Sequence, residues 1–165
     1  MIAVIGCGNP NRTDDGVGLE VIRLLRGMPE LQARPDVKLL DAGTDGMAVM
    51  FAARGCTCLI VVDCCRTQTK PGAIFEVPGD ELASPHQPSL NLHDFRWDHA
   101  IYTGRQIYRD AFPADVTAYL IEGQTFAFGC GLTPAIQEAA MKAGTQIAAR
   151  IRSIPHQLSS NSAEP

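Results

Sequence analysis

Short apolar runs alternate with amphipathic stretches along most of the chain, and the apolar runs predict five strands. They are Ile2–Ile5, Val37–Asp41, Leu59–Asp63, Ala73–Val77 and Val116–Glu122. All except Ala73–Val77 are dense in Val, Ile and Leu, which is typical of strands that are covered on both faces. Ala73–Val77 follows the turn Lys70-Pro71-Gly72.

The stretches between these strands have helical periodicity. The first predicted helix runs to about Arg26, and Asp14 or Thr13 is expected to cap its start. Gly46–Arg54 and His93–Tyr108 predict two further helices. The last helix is expected to begin with Thr133 as its N-cap and Pro134 at its first position. Its inward side chains are predicted to be Ile136, Ala140, Ile147 and Ile151.

The alternation of strands and helices predicts a single α/β domain with a mostly parallel sheet and helices on both faces. A length of 165 residues suits one domain. We expect the domain to cover residues 1–152 and residues 153–165, which are polar and aperiodic, to form a flexible C-terminal tail. Pro78–Asn91 also lacks periodicity, and a loop of this length is usually functional or mobile.

Composition narrows the classes of function. The chain is 45% apolar and 19% charged, as ordinary globular proteins are. Its net charge of −4 and its lack of a basic stripe argue against nucleic acid as a partner. No basic leader and no membrane-spanning run are evident, so we expect a cytoplasmic protein without a membrane partner. The six cysteines should then be reduced, and most of them should pack as small apolar residues in or beside the strands, because their spacing does not match a zinc site.

Three predicted strands deliver an aspartate to one edge of the sheet. Asp14 and Asp15 follow the first strand, Asp41 ends the second and Asp63 ends the third. The carboxyl ends of parallel strands form the usual site of an open α/β sheet. Carboxylates that meet there repel one another unless a cation or a shared proton compensates. Structural roles stay open as well: Asp14 as a helix cap, with Asp15 as a solvated acid in the first helical turn, and Asp41 as an acceptor for backbone amides in its glycine turn.

A cation explains this edge better than a phosphate does. Gly6-Cys7-Gly8 lacks the third glycine of a dinucleotide fingerprint, and no P-loop is present. Gly6 and Gly8 are expected to form a tight turn that brings the backbone close to a substrate and not to a phosphate. Carboxylates with an imidazole suit Ni²⁺, Zn²⁺ or Mn²⁺. Among the histidines His93 is favoured, because the start of its predicted helix would keep its imidazole neutral.

Four motifs in order make the chain resemble the nickel–iron hydrogenase maturation proteases. The first comprises Gly6-Cys7-Gly8-Asn9 and Asp14-Asp15-Gly16-Val17-Gly18, and the second is Asp41-Ala42-Gly43-Thr44-Asp45-Gly46-Met47. The third is the strand Leu59–Asp63 followed by Pro71-Gly72, and the fourth is Gly131-Leu132-Thr133-Pro134. The resemblance covers residues 1–152.

The resemblance implies a twisted five-stranded sheet and an aspartic-type endopeptidase. Such an enzyme removes the C-terminal extension of a [NiFe] hydrogenase large-subunit precursor after nickel insertion, and the substrate's own nickel is the recognition signal. The implied nickel ligands are Asp15, Asp63 and His93, with His86 as the alternative histidine. Nickel would be supplied by the substrate and not held tightly by the free enzyme. Many family members have glutamate where this chain has Asp15.

Asp41 is the candidate for a general base or for an acid that positions the substrate. Two other classes of function use the same residues and stay open at this point. One is a non-catalytic nickel-site sensor or assembly adaptor that binds the immature large subunit. The other is a metallohydrolase that acts on a small molecule.

Overall fold

The computed structural model describes residues 1–83 and 96–156, which fold around one five-stranded sheet. The strands are β1 (Ile2–Cys7), β2 (Val37–Gly43), β3 (Cys58–Cys65), β4 (Ile74–Pro78) and β5 (Asp115–Glu122). Their order across the sheet is β2-β1-β3-β5-β4, and the parallel pairs are β1 with β2, β1 with β3 and β3 with β5. β4 runs antiparallel to β5. The predicted mostly parallel α/β fold is confirmed.

The three strands that lead into the predicted site are longer than the apolar pattern indicated. β1 continues to Cys7 and β2 to Gly43. β3 continues to Cys65, because β5 supplies a pairing partner for it as far as Glu122. Asp41 and Asp63 therefore lie inside their strands, and the prediction that each ends its strand is wrong.

Helices cover both faces of the sheet. They are α1 (Val17–Arg26), α2 (Pro29–Gln32), α3 (Gly46–Ala53), α4 (Gly79–Leu82), α5 (Trp97–Tyr108) and α6 (Pro134–Ser153). The first and last of them share one hydrophobic core with the sheet, while α3 and α5 share the core on the opposite face. The short helices α2 and α4 were not predicted from the sequence. Within the described residues, no helix combines the length and the apolarity needed to cross a membrane.

The last helix follows its prediction closely. Thr133 is the N-cap of α6, and Pro134 is its first residue. The four side chains predicted to face inward are fully buried; they are Ile136, Ala140, Ile147 and Ile151. Burying one isoleucine side chain stabilises a fold by about 1.5–3 kcal/mol, so this face fixes α6 on the sheet.

Two helices begin differently from the prediction. Gly16, and neither Asp14 nor Thr13, is the N-cap of α1, and no side chain caps that helix. Both of those residues lie in a preceding 3-10 turn, Thr13–Gly16, with their side chains directed elsewhere. The predicted start of α5 at His93 is also wrong, because α5 begins at Trp97 after an extended residue, Arg96.

Glycine at three positions lets α1 and the 3-10 turn approach the sheet. A Cβ at Gly18 would collide with the carbonyl oxygens of Cys7 and Val62, which belong to β1 and β3. Gly6 makes the reciprocal approach to Gly18, and Gly8 has a φ of +122° with the carbonyl of Asp15 against it. Such a φ favours glycine. These glycines therefore make room for the protein's own backbone, and the expected approach of Gly6 and Gly8 to a substrate stays a prediction.

Candidate functional site

A cavity of about 200 Å³ lies at the carboxyl edge of the parallel strands. It is lined by Cys7, Gly8, Asp15, Gly43, Thr44, Asp45, Gly46, Asp63, Cys64, Arg96 and Trp97. We call it the site cavity. An adjoining groove of about 530 Å³ shares Asp15, Asp63, Arg96 and Trp97 with it and extends along Arg66 and Phe126. The structure thus brings together the predicted site residues Asp15 and Asp63.

Asp63 is the more buried carboxylate, with 8% of its surface exposed. Its Oδ1 accepts a hydrogen bond from the backbone amide of Cys64 at 2.8 Å, and its Oδ2 accepts one from the Trp97 indole at 2.7 Å. Burial raises the pKa of Asp63 to about 6, although both hydrogen bonds and the charge of Arg96 oppose that rise. The carboxylate is therefore held in one orientation and is largely ionised at neutral pH.

Asp15 approaches the site cavity from the 3-10 turn and is half-buried. Its Oδ2 accepts a hydrogen bond from the backbone amide of Asn9 at 3.0 Å, within the same loop. The negative charge of Asp15 contributes to the raised pKa of Asp63. Two carboxylates that face one cavity form an electrostatic environment that favours a cation.

Asp41 lines neither the site cavity nor the adjoining groove. Its side chain is exposed, and Oδ1 accepts a hydrogen bond from the backbone amide of Gly43 at 2.9 Å. This contact confirms the structural role that the glycine turn suggested. The neighbouring Asp45 lines the cavity instead, where it caps α3 by accepting bonds from the amides of Met47 and Ala48. A catalytic role for Asp41 stays a prediction.

The two candidate histidines, His93 and His86, lie outside the described residues. Within residues 1–83 and 96–156, no group of three or more His, Cys, Asp or Glu side chains is placed to hold a metal ion. His99 lies in α5, where its Nδ1 accepts a hydrogen bond from the backbone amide of Arg96 at 3.3 Å. The described part of the chain thus brings Asp15, Asp45 and Asp63 to the cavity, where Asp45 is occupied as a helix cap. His93 stays a predicted third nickel ligand beside Asp15 and Asp63.

Sequence reasoning missed two residues that shape the site. The sequence placed Trp97 only in a predicted helix, yet its indole N–H donates a hydrogen bond that orients the carboxylate of Asp63. The sequence did contain a signal for this contact, because a buried indole N–H needs a hydrogen-bond acceptor. Asp14 is fully buried and caps no helix. Its carboxylate accepts bonds from the amides of Gln124, Thr125 and Thr133 at 3.0, 2.9 and 2.7 Å, and from the Thr133 hydroxyl at 3.1 Å.

Two cysteines, Cys7 and Cys64, also line the site cavity. Burial raises the pKa of both thiols, and the nearby charge of Asp63 raises each of them further. They are therefore neutral thiols at physiological pH. The cysteines of the described residues are all free, and their reduced state in the cell stays a prediction.

The fold and the cavity define an α/β protein with an acidic site at the carboxyl edge of a parallel sheet. The sequence profile of the family described as hydrogenase maturation protease matches residues 20–150. The chain belongs to this family, and it is accordingly a hydrolase, an endopeptidase of hydrogenase maturation.

Individual relatives agree with the family assignment. A protein of Methanocaldococcus jannaschii is 32% identical over 95 residues, which cover 56% of this chain and 60% of that relative. The coenzyme F420 hydrogenase subunit delta of Methanothermobacter thermautotrophicus is 28% identical over 149 residues, covering 86% of this chain and 89% of the relative. The solved structure of the hydrogenase maturating endopeptidase HybD of E. coli has the same fold. It superposes with a TM-score of 0.73 at 23% identity, over 92% of this chain and 91% of that one.

Proposed function

We propose that this endopeptidase removes the C-terminal extension of a [NiFe] hydrogenase large subunit after nickel has been inserted. The observation that carries the proposal is the pair of carboxylates, Asp15 and Asp63, that line one cavity at the carboxyl edge of the sheet. Family membership supports the reaction class. The large-subunit precursor is therefore the proposed partner.

In this proposal nickel arrives as part of the substrate, already bound by the precursor's own cysteines. Asp15 and Asp63 supply oxygen ligands to the ion, and His93 supplies an imidazole. The ion then fixes the position of the scissile bond and polarises its carbonyl or an attacking water. This mechanism uses aspartates and needs no serine or cysteine nucleophile. In that sense the proposed enzyme is aspartic-type. Precursor without nickel lacks the group that these residues bind, so cleavage would report that insertion is complete.

Asp41 is proposed as the general base or as an acid that positions the substrate. Its hydrogen bond to the amide of Gly43 holds it beside the residues that line the cavity. The reaction is proposed to take place in the cytoplasm, where reduced thiols persist, and the free cysteines of the described residues are consistent with that compartment.

The proposal is tested with purified precursor in nickel-loaded and nickel-free forms. We expect the wild-type protein to trim the loaded form alone, and Asp15→Asn and Asp63→Asn each to abolish trimming, because an amide is a poor nickel ligand. The control is Asp80→Asn, since Asp80 is an exposed aspartate paired with Arg105, away from the site cavity. Mass spectrometry of the precursor gives the readout. Equal trimming of both precursor forms would contradict nickel recognition.

The choice of histidine has its own pair of variants. We expect His93→Ala to abolish trimming of nickel-loaded precursor and His86→Ala to retain it. Circular dichroism of both variants checks that neither change unfolds the protein. If His93→Ala is active and His86→Ala is inactive, the imidazole ligand is His86 and not His93.

A second candidate function is a non-catalytic adaptor that binds the immature large subunit. It is favoured by the similarity to a protein named as a subunit of a hydrogenase. Binding of nickel-loaded precursor without C-terminal trimming would support the adaptor over the protease. If the protein were instead a metallohydrolase of small molecules, the purified protein would hold its metal tightly. Metal analysis after purification without added nickel therefore distinguishes this third class from the protease and the adaptor.

A further inference from the structure

The loop of residues 124–132, between β5 and α6, carries two phenylalanines beside the proposed active site. Phe128 is 87% exposed, the highest value among the large apolar side chains of the described residues. Phe126 is half-buried and lines the adjoining groove together with Asp15 and Asp63. An exposed aromatic ring on a loop that also lines the groove of a site is a common feature of binding surfaces.

The exposure of Phe128 does not come from a loosely attached loop. The buried Asp14 binds the amides at the start of the loop and at Thr133, just after it. Thr13 donates its hydroxyl to the carbonyl of Thr125 at 2.8 Å and its amide to the carbonyl of Gly129 at 3.0 Å. Thr13 has a φ of +47°, a strained value for a β-branched residue that these contacts maintain. The loop is therefore a fixed platform for Phe126 and Phe128.

Each of the two rings lies beside a guanidinium group. Arg12 is 5.5 Å from the centre of the Phe128 ring, and Arg66 is 5.6 Å from the centre of the Phe126 ring. Within residues 1–83 and 96–156, neither arginine forms an ion pair with a carboxylate. The chain as a whole has a net charge of −4, so this pair is a local cationic surface on an acidic protein. We call these four side chains the aromatic–arginine surface.

We propose that the aromatic–arginine surface binds the C-terminal extension of the precursor, next to the bond that is cut. The proposal rests on the proposed function. The rings fit an apolar side chain of the extension, and the guanidinium groups fit a carboxylate on it. Phe126 and Arg66 line the groove together with Asp15 and Asp63, so a peptide held at these carboxylates would reach the half of the surface that lies in the groove. Arg12 donates its Nε–H to the carbonyl of Phe126 at 3.2 Å, which places Arg12 and the Phe128 ring next to that half. These residues position the substrate and take no part in bond cleavage.

Steady-state trimming of nickel-loaded precursor by Phe128→Ala tests the apolar contact. We expect KM to rise about tenfold while kcat stays near the wild-type value, because a truncated central aromatic commonly weakens an interface by that order. Phe51→Ala is the matched control, since Phe51 is a 59% exposed phenylalanine on α3, outside the loop of residues 124–132. A KM for Phe128→Ala equal to that of the control would overturn the proposal.

The charged contact is tested by Arg12→Glu combined with Arg66→Glu. We expect KM to rise again. The charge pairing predicts that this double variant prefers a precursor with Lys introduced into its extension over one with Glu introduced at the same positions, and that the wild-type enzyme has the opposite preference. The same preference in both proteins would contradict the charge pairing.

Binding separates failure of this surface from failure of the proposed function. The affinity of the inactive Asp15→Asn protein for nickel-loaded precursor is measured by titration calorimetry, with and without Phe128→Ala. If wild-type protein never trims the precursor but Phe128→Ala still weakens binding, the binding role of the surface is supported and the protease function is contradicted. If trimming occurs and Phe128→Ala changes neither KM nor affinity, the protease function is supported and the binding role of the surface is contradicted. If wild-type protein neither trims nor binds, both are wrong.

Discussion

At the scale of single residues, Asp14 has the largest predicted effect on stability. Replacing it with Ala leaves the amides of Gln124, Thr125 and Thr133 and one hydroxyl without their acceptor in a buried position. We expect Asp14→Ala to lower the free energy of unfolding by about 3 kcal/mol or more. Urea unfolding measures it, with Asp80→Ala as the exposed control, expected within about 0.5 kcal/mol of wild type. A loss below about 1 kcal/mol for Asp14→Ala would contradict the buried network.

Asp63 makes stability depend on pH in a direction opposite to that of most carboxylates. Its pKa is raised to about 6 in the folded state, so the folded protein holds this proton more tightly than the unfolded chain does. The contribution of Asp63 to stability is therefore full at low pH and falls as pH rises through about 6, by at most about 3 kcal/mol. Asp63→Asn removes this dependence, so wild-type stability relative to the variant should fall between about pH 4 and pH 7.

Asp36 provides the opposite sign within the same protein. Its hydrogen bonds with the Arg34 guanidinium hold the pKa of Asp36 below its ordinary value. Wild-type stability relative to Asp36→Asn should therefore rise with pH over the acid range, where stability relative to Asp63→Asn falls. Urea unfolding midpoints of wild type, Asp36→Asn and Asp63→Asn across a pH series measure both trends. If the difference in stability from wild type changes with pH in the same direction for both variants, burial does not raise the pKa of Asp63.

At the scale of elements, two glycines inside helices make a matched pair. Gly18 in α1 touches the carbonyls of Cys7 and Val62, whereas a Cβ at Gly144 in α6 would be 3.9 Å from its nearest neighbour, Met28. We expect Gly18→Ala to destabilise the fold by about 3 kcal/mol or more, because backbone has to move. Gly144→Ala should be neutral or stabilising by up to about 1 kcal/mol. Thermal unfolding compares them, and similar effects of the two changes would argue against the close approach of α1 to the sheet.

The elements also show what local sequence signals can predict. The five strands and the cap and inner face of α6 were predictable, because apolar periodicity and the Thr133-Pro134 start are local features. The ends of β1, β2 and β3 were not, since strand length depends on the pairing partner. Asp14 looked like a helix cap because cap preference is local, while its actual partners lie 110 to 119 residues away along the chain. The contact of Trp97 with Asp63 spans 34 residues and was hidden for the same reason.

At the scale of the whole molecule, topology accounts for the site. β1 lies between β2 and β3 in the sheet. The loops that follow β1 and β2 therefore meet the end of β3 at the carboxyl edge of these strands, where the site was predicted. The parallel sheet made the convergence of Asp15 and Asp63 predictable. The same topology did not predict that the side chain of Asp41 would bond to Gly43, because that depends on the irregular pairing of β1 with β2 at this point.

The neutral thiols of Cys7 and Cys64 have a consequence for how the enzyme would release its product. Thiolates are strong ligands for soft and borderline metal ions, so in the proposed function an enzyme that offered a thiolate would compete with the precursor's own cysteines for its nickel. Burial raises the pKa of both thiols, which makes the loss of their protons to a nickel ion more costly, whereas the aspartates that line the same cavity offer oxygen ligands. Oxygen donors are harder ligands than thiolates and suit such an ion less well. The buried thiols of this acidic cavity would thus allow the proposed protease to bind a nickel centre through carboxylates and to leave the metal with the hydrogenase.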